Sequence, residues 1–145
     1  MFMLLLSTAC AGLFCGAAFY VTLVEHPARM SCGLELALRE FAPSYRRATI
    51  MQATLAIGGF TVGFAAAMQL GDVEVAVGAI LLGASVPFTL IVIFPTNNEL
   101  LNPALDAHSP RAAQLLHRWN RLHAVRTALS AAAFALLLWC VAWHH

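Results

Sequence analysis

Charged positions divide this chain into long apolar runs. Residues 1–24, 48–71 and 75–98 carry no charge, and a further uncharged run covers 127–143. The first three are 24 residues each and the last is 17. A bilayer-spanning helix needs about 20 apolar residues, within a range of roughly 17–25. The runs are continuous rather than alternating, which selects membrane helices over barrel strands. The pattern therefore predicts an all-α integral membrane four-helix bundle. Its helices lie near 2–24, 48–70, 75–95 and 124–143 of a single transmembrane domain over 1–145. The first run has no positive residue before it and is too long for a typical signal core, so it reads as a retained helix.

The connections are patterned too. In the first, Leu34, Leu38 and Phe41 recur at i, i+4 and i+7 while Glu35, Arg39 and Glu40 fall elsewhere. This predicts a short interfacial helix near 33–42, between Pro27 and Pro43. The second connection, Gly71-Asp72-Val73-Glu74, is a tight hairpin. In the third, Ser109-Pro110-Arg111 marks a helix start, with Ser109 as N-cap and Pro110 at the first position. That interfacial helix covers 110–123 and can run on into the fourth span. Gly12 and Gly16 lie four apart, as do Gly59 and Gly63, with Thr8, Ala79 and Gly83 extending the small faces. Such faces let backbones approach, either inside one bundle or in a homo-oligomer. Packing within the bundle is the preferred reading, because four helices must pack in any case.

Composition narrows the class further. The chain is 61% hydrophobic and 10% charged, against about 25% charged residues in soluble domains. That excludes a soluble globular domain and a disordered chain. The net charge of +1 offers no basic footprint for nucleic acid. The eight basic residues are all arginine, four around the first connection and four around the third. The positive-inside rule then places both long connections in the cytoplasm and both termini on the other side, as in a bacterial inner membrane. The cysteines Cys10, Cys15, Cys32 and Cys140 show no CxxC spacing and read as small packing residues.

Candidate chemistry lies at the ends of the spans. Val24-Glu25-His26-Pro27-Ala28-Arg29 closes the first, and Phe94-Pro95-Thr96-Asn97-Asn98-Glu99-Leu100 closes the third. His117-Arg118-Trp119-Asn120-Arg121-Leu122-His123-Ala124-Val125-Arg126-Thr127 leads into the fourth. All three fall on one predicted membrane face. Asn120, His123 and Thr127 share a helical stripe flanked by Trp119 and Arg126, while His117 and Arg121 form an adjoining one. Ionisable groups at this depth face a bundle interior or a wet cavity. His26 or His123 suits a general base. Arg121 and Arg126 suit an anionic substrate oxygen, and Trp119 suits an aromatic ligand or an interfacial anchor. A metal would draw on His26, His123, His117 and Glu25, although no pair has ligand spacing on one helix face. Arg29 and Arg118 read as plain positive-inside residues, Trp139 and Trp143 as interfacial aromatics, and His108 as solvated. His144 and His145 are assigned no role. Gln52, Ser85, Thr89 and Pro87 read as structural, with cavity lining as the alternative.

Four of these segments carry a resemblance. Ala11-Gly12-Leu13-Phe14-Cys15-Gly16-Ala17-Ala18-Phe19, Glu25-His26-Pro27-Ala28, the 94–100 segment and the 118–127 segment resemble, in order and spacing, the small four-span membrane family that includes the anthrone oxygenases. The resemblance implies a four-helix membrane bundle. For some members it also implies oxidation of an anthrone to an anthraquinone by molecular oxygen. The positions matching the family's polar pattern are His26, Asn98, Trp119, Asn120, His123 and Arg126.

Two function classes follow. The first is a membrane-embedded oxidoreductase, a monooxygenase that oxidises a lipophilic, aromatic substrate entering from the bilayer. His26 or His123 removes a proton, Asn98, Asn120 and Arg126 steady the resulting oxyanion, and Trp119 and Arg121 bind substrate. It uses no cofactor, or a histidine-bound iron or copper. The second is a non-catalytic membrane module that binds a small molecule or a partner protein. A haem or quinone protein fits less well, because the histidines lie near helix ends.

Overall fold

The computed structural model describes residues 1–144; His145 lies outside the described residues. Four helices make up most of the chain: α1 (Phe2–Ser31), α2 (Leu34–Leu70), α3 (Val73–Leu100) and α4 (Pro110–Trp143). All four are long and apolar enough to cross a membrane. No strand occurs among the described residues. α1 and α3 each pack against both α2 and α4, so the bundle is a ring of up-and-down neighbours.

The helices run further than the apolar pattern predicts. The segment expected as a separate interfacial helix near 33–42 is the first part of α2, which continues past Pro43 without a break. Only Cys32 and Gly33 separate α1 from α2. Gly33 has φ 94°, a conformation that side chains with a Cβ avoid. α4 runs unbroken from Pro110 into the fourth span, and the Ser109 hydroxyl caps it by accepting from the Ala112 amide at 3.2 Å.

α1 and α3 also pass through prolines expected to mark their ends. Each solves the problem in the same way. A π-helical turn at Val21–Glu25 precedes Pro27, and one at Thr89–Ile93 precedes Pro95. In both cases one residue separates the π turn from the proline. Proline cannot donate to the carbonyl four residues back, here Leu23 or Ile91, and its ring crowds that oxygen. A wider turn relieves the clash, and such turns concentrate at functional sites.

At the far end, Gly71 adopts φ 65° and Asp72 caps α3, accepting from the amides of Glu74 at 2.7 Å and Val75 at 3.2 Å. His144, assigned no role from the sequence, places Nε2 2.6 Å from Asp72 Oδ2. The hydrogen bond from His144, aided by those two amides, holds the Asp72 carboxyl below its usual 3.8.

Close packing uses the glycine faces inside the chain. Ser7 Oγ donates to the Gly59 carbonyl at 2.8 Å. A Cβ at Gly59 would lie 2.6 Å from Leu82 Cδ2, and one at Gly63 would lie 2.9 Å from Ala79 Cβ. Gly12 faces the Phe134 ring, while Gly16 faces no neighbour. The four cysteines are free thiols.

Candidate functional site

The polar segments converge. A cavity at the α1–α2 connection end of the bundle takes walls from all four helices. The two π turns contribute Val21 and Glu25 on one side and Thr89 and Ile93 on the other. α4 contributes Trp119, His123 and Arg126.

His123 is buried and both its ring nitrogens are engaged. Arg126 lies one turn on, and its Nη2 is 2.7 Å from His123 Nε2. A guanidinium only donates, so Nε2 accepts and the ring proton sits on Nδ1. Nδ1–H donates to Thr22 Oγ1 at 2.9 Å, and Thr22 in turn donates to the Ala18 carbonyl at 2.9 Å. Thr127 donates to the His123 carbonyl at 3.0 Å. This chain of bonds fixes one neutral tautomer with its lone pair toward Arg126.

Arg126 is the hub. Its Nη2 also donates to Gln52 Oε1 at 2.7 Å, and Nη1 reaches Thr89 Oγ1 at 3.4 Å. Its Nε is buried without a partner, and the guanidinium carbon lies 5.7 Å from the centre of the Phe14 ring. Gln52 and Thr89 are thus cavity-lining residues, not only structural ones.

Several predicted site residues lie elsewhere. Asn98 is exposed; its neighbour Asn97 is fully buried, lines the cavity, and has neither side-chain polar atom hydrogen-bonded. Arg121 and His117 are exposed on α4. Asn120 is half-buried and does not line the cavity, although its Oδ1 is unpartnered. His26 is buried behind Trp119, 5.5 Å between ring centres, and is not a cavity wall. Trp119 does line the cavity. Its ring stacks on His123 at 4.7 Å, meets Phe41 edge-on at 5.4 Å and carries the Arg29 guanidinium at 5.9 Å. Its faces are therefore largely occupied by the protein itself.

Arg29 is the other correction. Read as a plain positive-inside residue, it is 6% exposed. It pairs with Glu25, and its Nε lies 2.9 Å from Glu40 Oε2. Glu25 also accepts from Ser44 at 2.7 Å. This network pins the end of α1 to the start of α2 over the cavity.

A resident metal was one sequence expectation. A structural or catalytic site takes three or more protein ligands. Among the described residues, no group of three or more His, Cys, Asp or Glu side chains is placed to hold an ion. His117 is exposed, His123 has both nitrogens engaged, and Glu25 is tied to Arg29 and Ser44. The set His26, His123, His117 and Glu25 does not fit a bound iron or copper.

Thr22, Asn97 and Gln52 are the residues whose roles sequence reasoning missed or underrated. Helical phase alone did not flag Thr22 and Asn97, because a π turn contains the first and lies just before the second; Gln52 sits on the regular helix α2 and was read as structural first.

A family model described as anthrone oxygenase matches residues 41–136, which include all of the α2, α3 and α4 walls of the cavity. No curated protein and no solved structure matches the chain.

Proposed function

Because the chain belongs to the anthrone oxygenase family, we propose that it is a membrane oxidoreductase that uses molecular oxygen on a lipophilic aromatic ketone. The substrate class is one whose C–H bond opposite the carbonyl is acidic. The pairing of His123 with Arg126 inside a four-walled cavity carries this reading.

Arg126 is the donor placed for the substrate oxygen, and Asn97 is a second, with its amide free. When the guanidinium turns to that oxygen, it releases His123 Nε2. The freed lone pair takes the C–H proton, while Thr22 keeps the ring in the correct tautomer. Charge moves onto the oxygen held by Arg126. A positioned donor of this kind is worth about 3 kcal/mol of barrier. The electron-rich carbon then bonds to molecular oxygen, and the resulting peroxide is protonated by the histidine. Loss of the second C–H proton with cleavage of the O–O bond forms the new carbonyl. One oxygen atom stays in the product and the other leaves as water, so the substrate is oxidised by four electrons and no outside reductant is needed.

The arginines around both long connections support a cytoplasmic site, with the 71–74 turn on the opposite side. The test is conversion of anthrone under isotopically heavy oxygen by protein in lipid discs. The reading expects one heavy atom in the quinone and catalysis above a protein-free control. Heavy label absent from the quinone, or no rate above the control, overturns it.

A non-catalytic small-molecule binder is the second reading. The matched π turns before Pro27 and Pro95 favour it, because paired interruptions mark ligand paths in membrane carriers. It predicts tight binding of anthrone with no oxygen consumed.

A further inference from the structure

A second cavity lies against the first. It is a groove between α2 and α3, walled by Ala53 and Ala56 on one side and Val86 and Leu90 on the other. Phe14 of α1 and Arg126 of α4 complete its lining. The walls are apolar and small, and Leu90 at the rim is 59% exposed. On a membrane helix that rim faces lipid. The groove and the polar cavity share Thr49, Gln52, Thr89 and Arg126. The partition between them is therefore the Arg126 guanidinium with its bonds to Gln52 and Thr89.

Two of the groove's lining residues each carry a fully buried polar atom without a partner. Ser85 Oγ is buried and unbonded, and so is Arg126 Nε. In an apolar setting each unmet donor is costly, and native structures rarely leave one without a purpose. Pro87 and the π turn at Thr89–Ile93 explain the space, since both prevent α3 from closing on α2 as a regular helix.

Building on the oxidoreductase reading, we propose that this groove is the lateral entry and docking subsite for the lipophilic ligand, between α2 and α3. The aromatic body lies between the small walls. Its carbonyl or phenolic oxygen claims Ser85 Oγ–H and Arg126 Nε–H as those side chains turn to it, since both donors are buried and unpartnered without ligand. The same guanidinium holds His123 on its other edge, so docking of that oxygen draws Arg126 off the histidine. Arrival of ligand and release of the base are then one movement.

Trp119 provides the reporter. With Trp139→Phe and Trp143→Phe it is the sole tryptophan. Anthrone is added without oxygen to this parent in neutral phospholipid discs, and quenching of Trp119 fluorescence is followed. Ala53→Phe fills the groove wall without touching the polar cavity. It should weaken binding by about tenfold or more and slow association, whereas Ala128→Phe, on the exposed face of α4, should stay within about twofold of the parent. Leu90→Phe at the exposed rim is a second plug should Ala53→Phe not fold. Either groove variant, folded and binding as fast and as tightly as the parent, overturns the portal. Absence of quenching in the parent overturns the ligand class. Failure of the oxidation reading looks different: the groove variants block quenching, yet admitting air yields no quinone above the protein-free control.

Discussion

His123 and Arg126 occupy one another: Nη2 of the arginine lies 2.7 Å from Nε2, the histidine nitrogen that carries the lone pair. A base held in this way is idle until something else claims the guanidinium. Arg126→Gln should therefore lower oxidation by about 100-fold or more, the effect of losing an oxyanion donor. Arg126→Lys should rescue little, since a point charge cannot hold Gln52 and His123 from one nitrogen and offer the planar edge to a ligand oxygen as well. Initial rates of quinone formation check both variants.

Gln52 supplies the acceptor that steadies that guanidinium at 2.7 Å. Gln52→Leu should cost about 1–3 kcal/mol of stability, because it leaves a buried donor unmet. It should act on turnover more through binding than through the chemical step. A raised KM with kcat little changed is the expected pattern.

Arg29 sits between Glu25 and Glu40, with its side chain 5% exposed and theirs 25% and 38%. Arg29→Met removes the shared cation and leaves two carboxylates facing each other. The partial exposure of the acids moderates the loss, to about 2 kcal/mol. Thermal unfolding in detergent measures it, and restoring charge with Arg29→Lys should recover part of the loss.

Gly59 lies where α1, α2 and α3 meet. A methyl group there would sit 2.6 Å from Leu82 Cδ2 and 2.9 Å from Cys10 Cβ. Gly59→Ala should destabilise the bundle by about 1–3 kcal/mol. Gly16→Ala, with no neighbour within 4 Å, should be close to neutral.

Asp72 carries the pH prediction. Its carboxyl titrates below 3.8 in the folded chain, chiefly through the hydrogen bond from His144. A depressed acid contributes stability that is complete above the unfolded value and is lost as pH falls through the folded one. Wild type should therefore melt above Asp72→Asn at neutral pH, and the difference should close below about pH 4.

Charge spacing alone made the four spans legible, and Ser109-Pro110 made the start of α4 legible. Both are local signals. The stripe of Asn120, His123 and Thr127 flanked by Trp119 and Arg126 was readable only in part: α4 is a regular helix across it and brings His123, Trp119 and Arg126 to the cavity, but Asn120 does not line it. The choice between Asn97 and Asn98 was not. Adjacent helical residues point about 100° apart, and here Asn97 faces the interior while Asn98 faces outward. The π turn at Thr89–Ile93 resets that phase just upstream. The same reason hid Thr22, which lies within the other π turn. Pro27 and Pro95 were the available signals, and they suggest helix ends unless the wider turn is considered. Arg29 was misread because a lone arginine near a helix end looks the same whether it meets water or Glu25 and Glu40.

The most direct measurement is turnover of anthrone under air by wild type, His123→Gln, Arg126→Gln and the double variant, each confirmed folded. If the two residues act as one unit, each single variant loses about 100-fold or more, and the double variant loses little beyond that. Losses that multiply in the double variant, or a single variant that keeps full turnover, would contradict the coupling of His123 to Arg126.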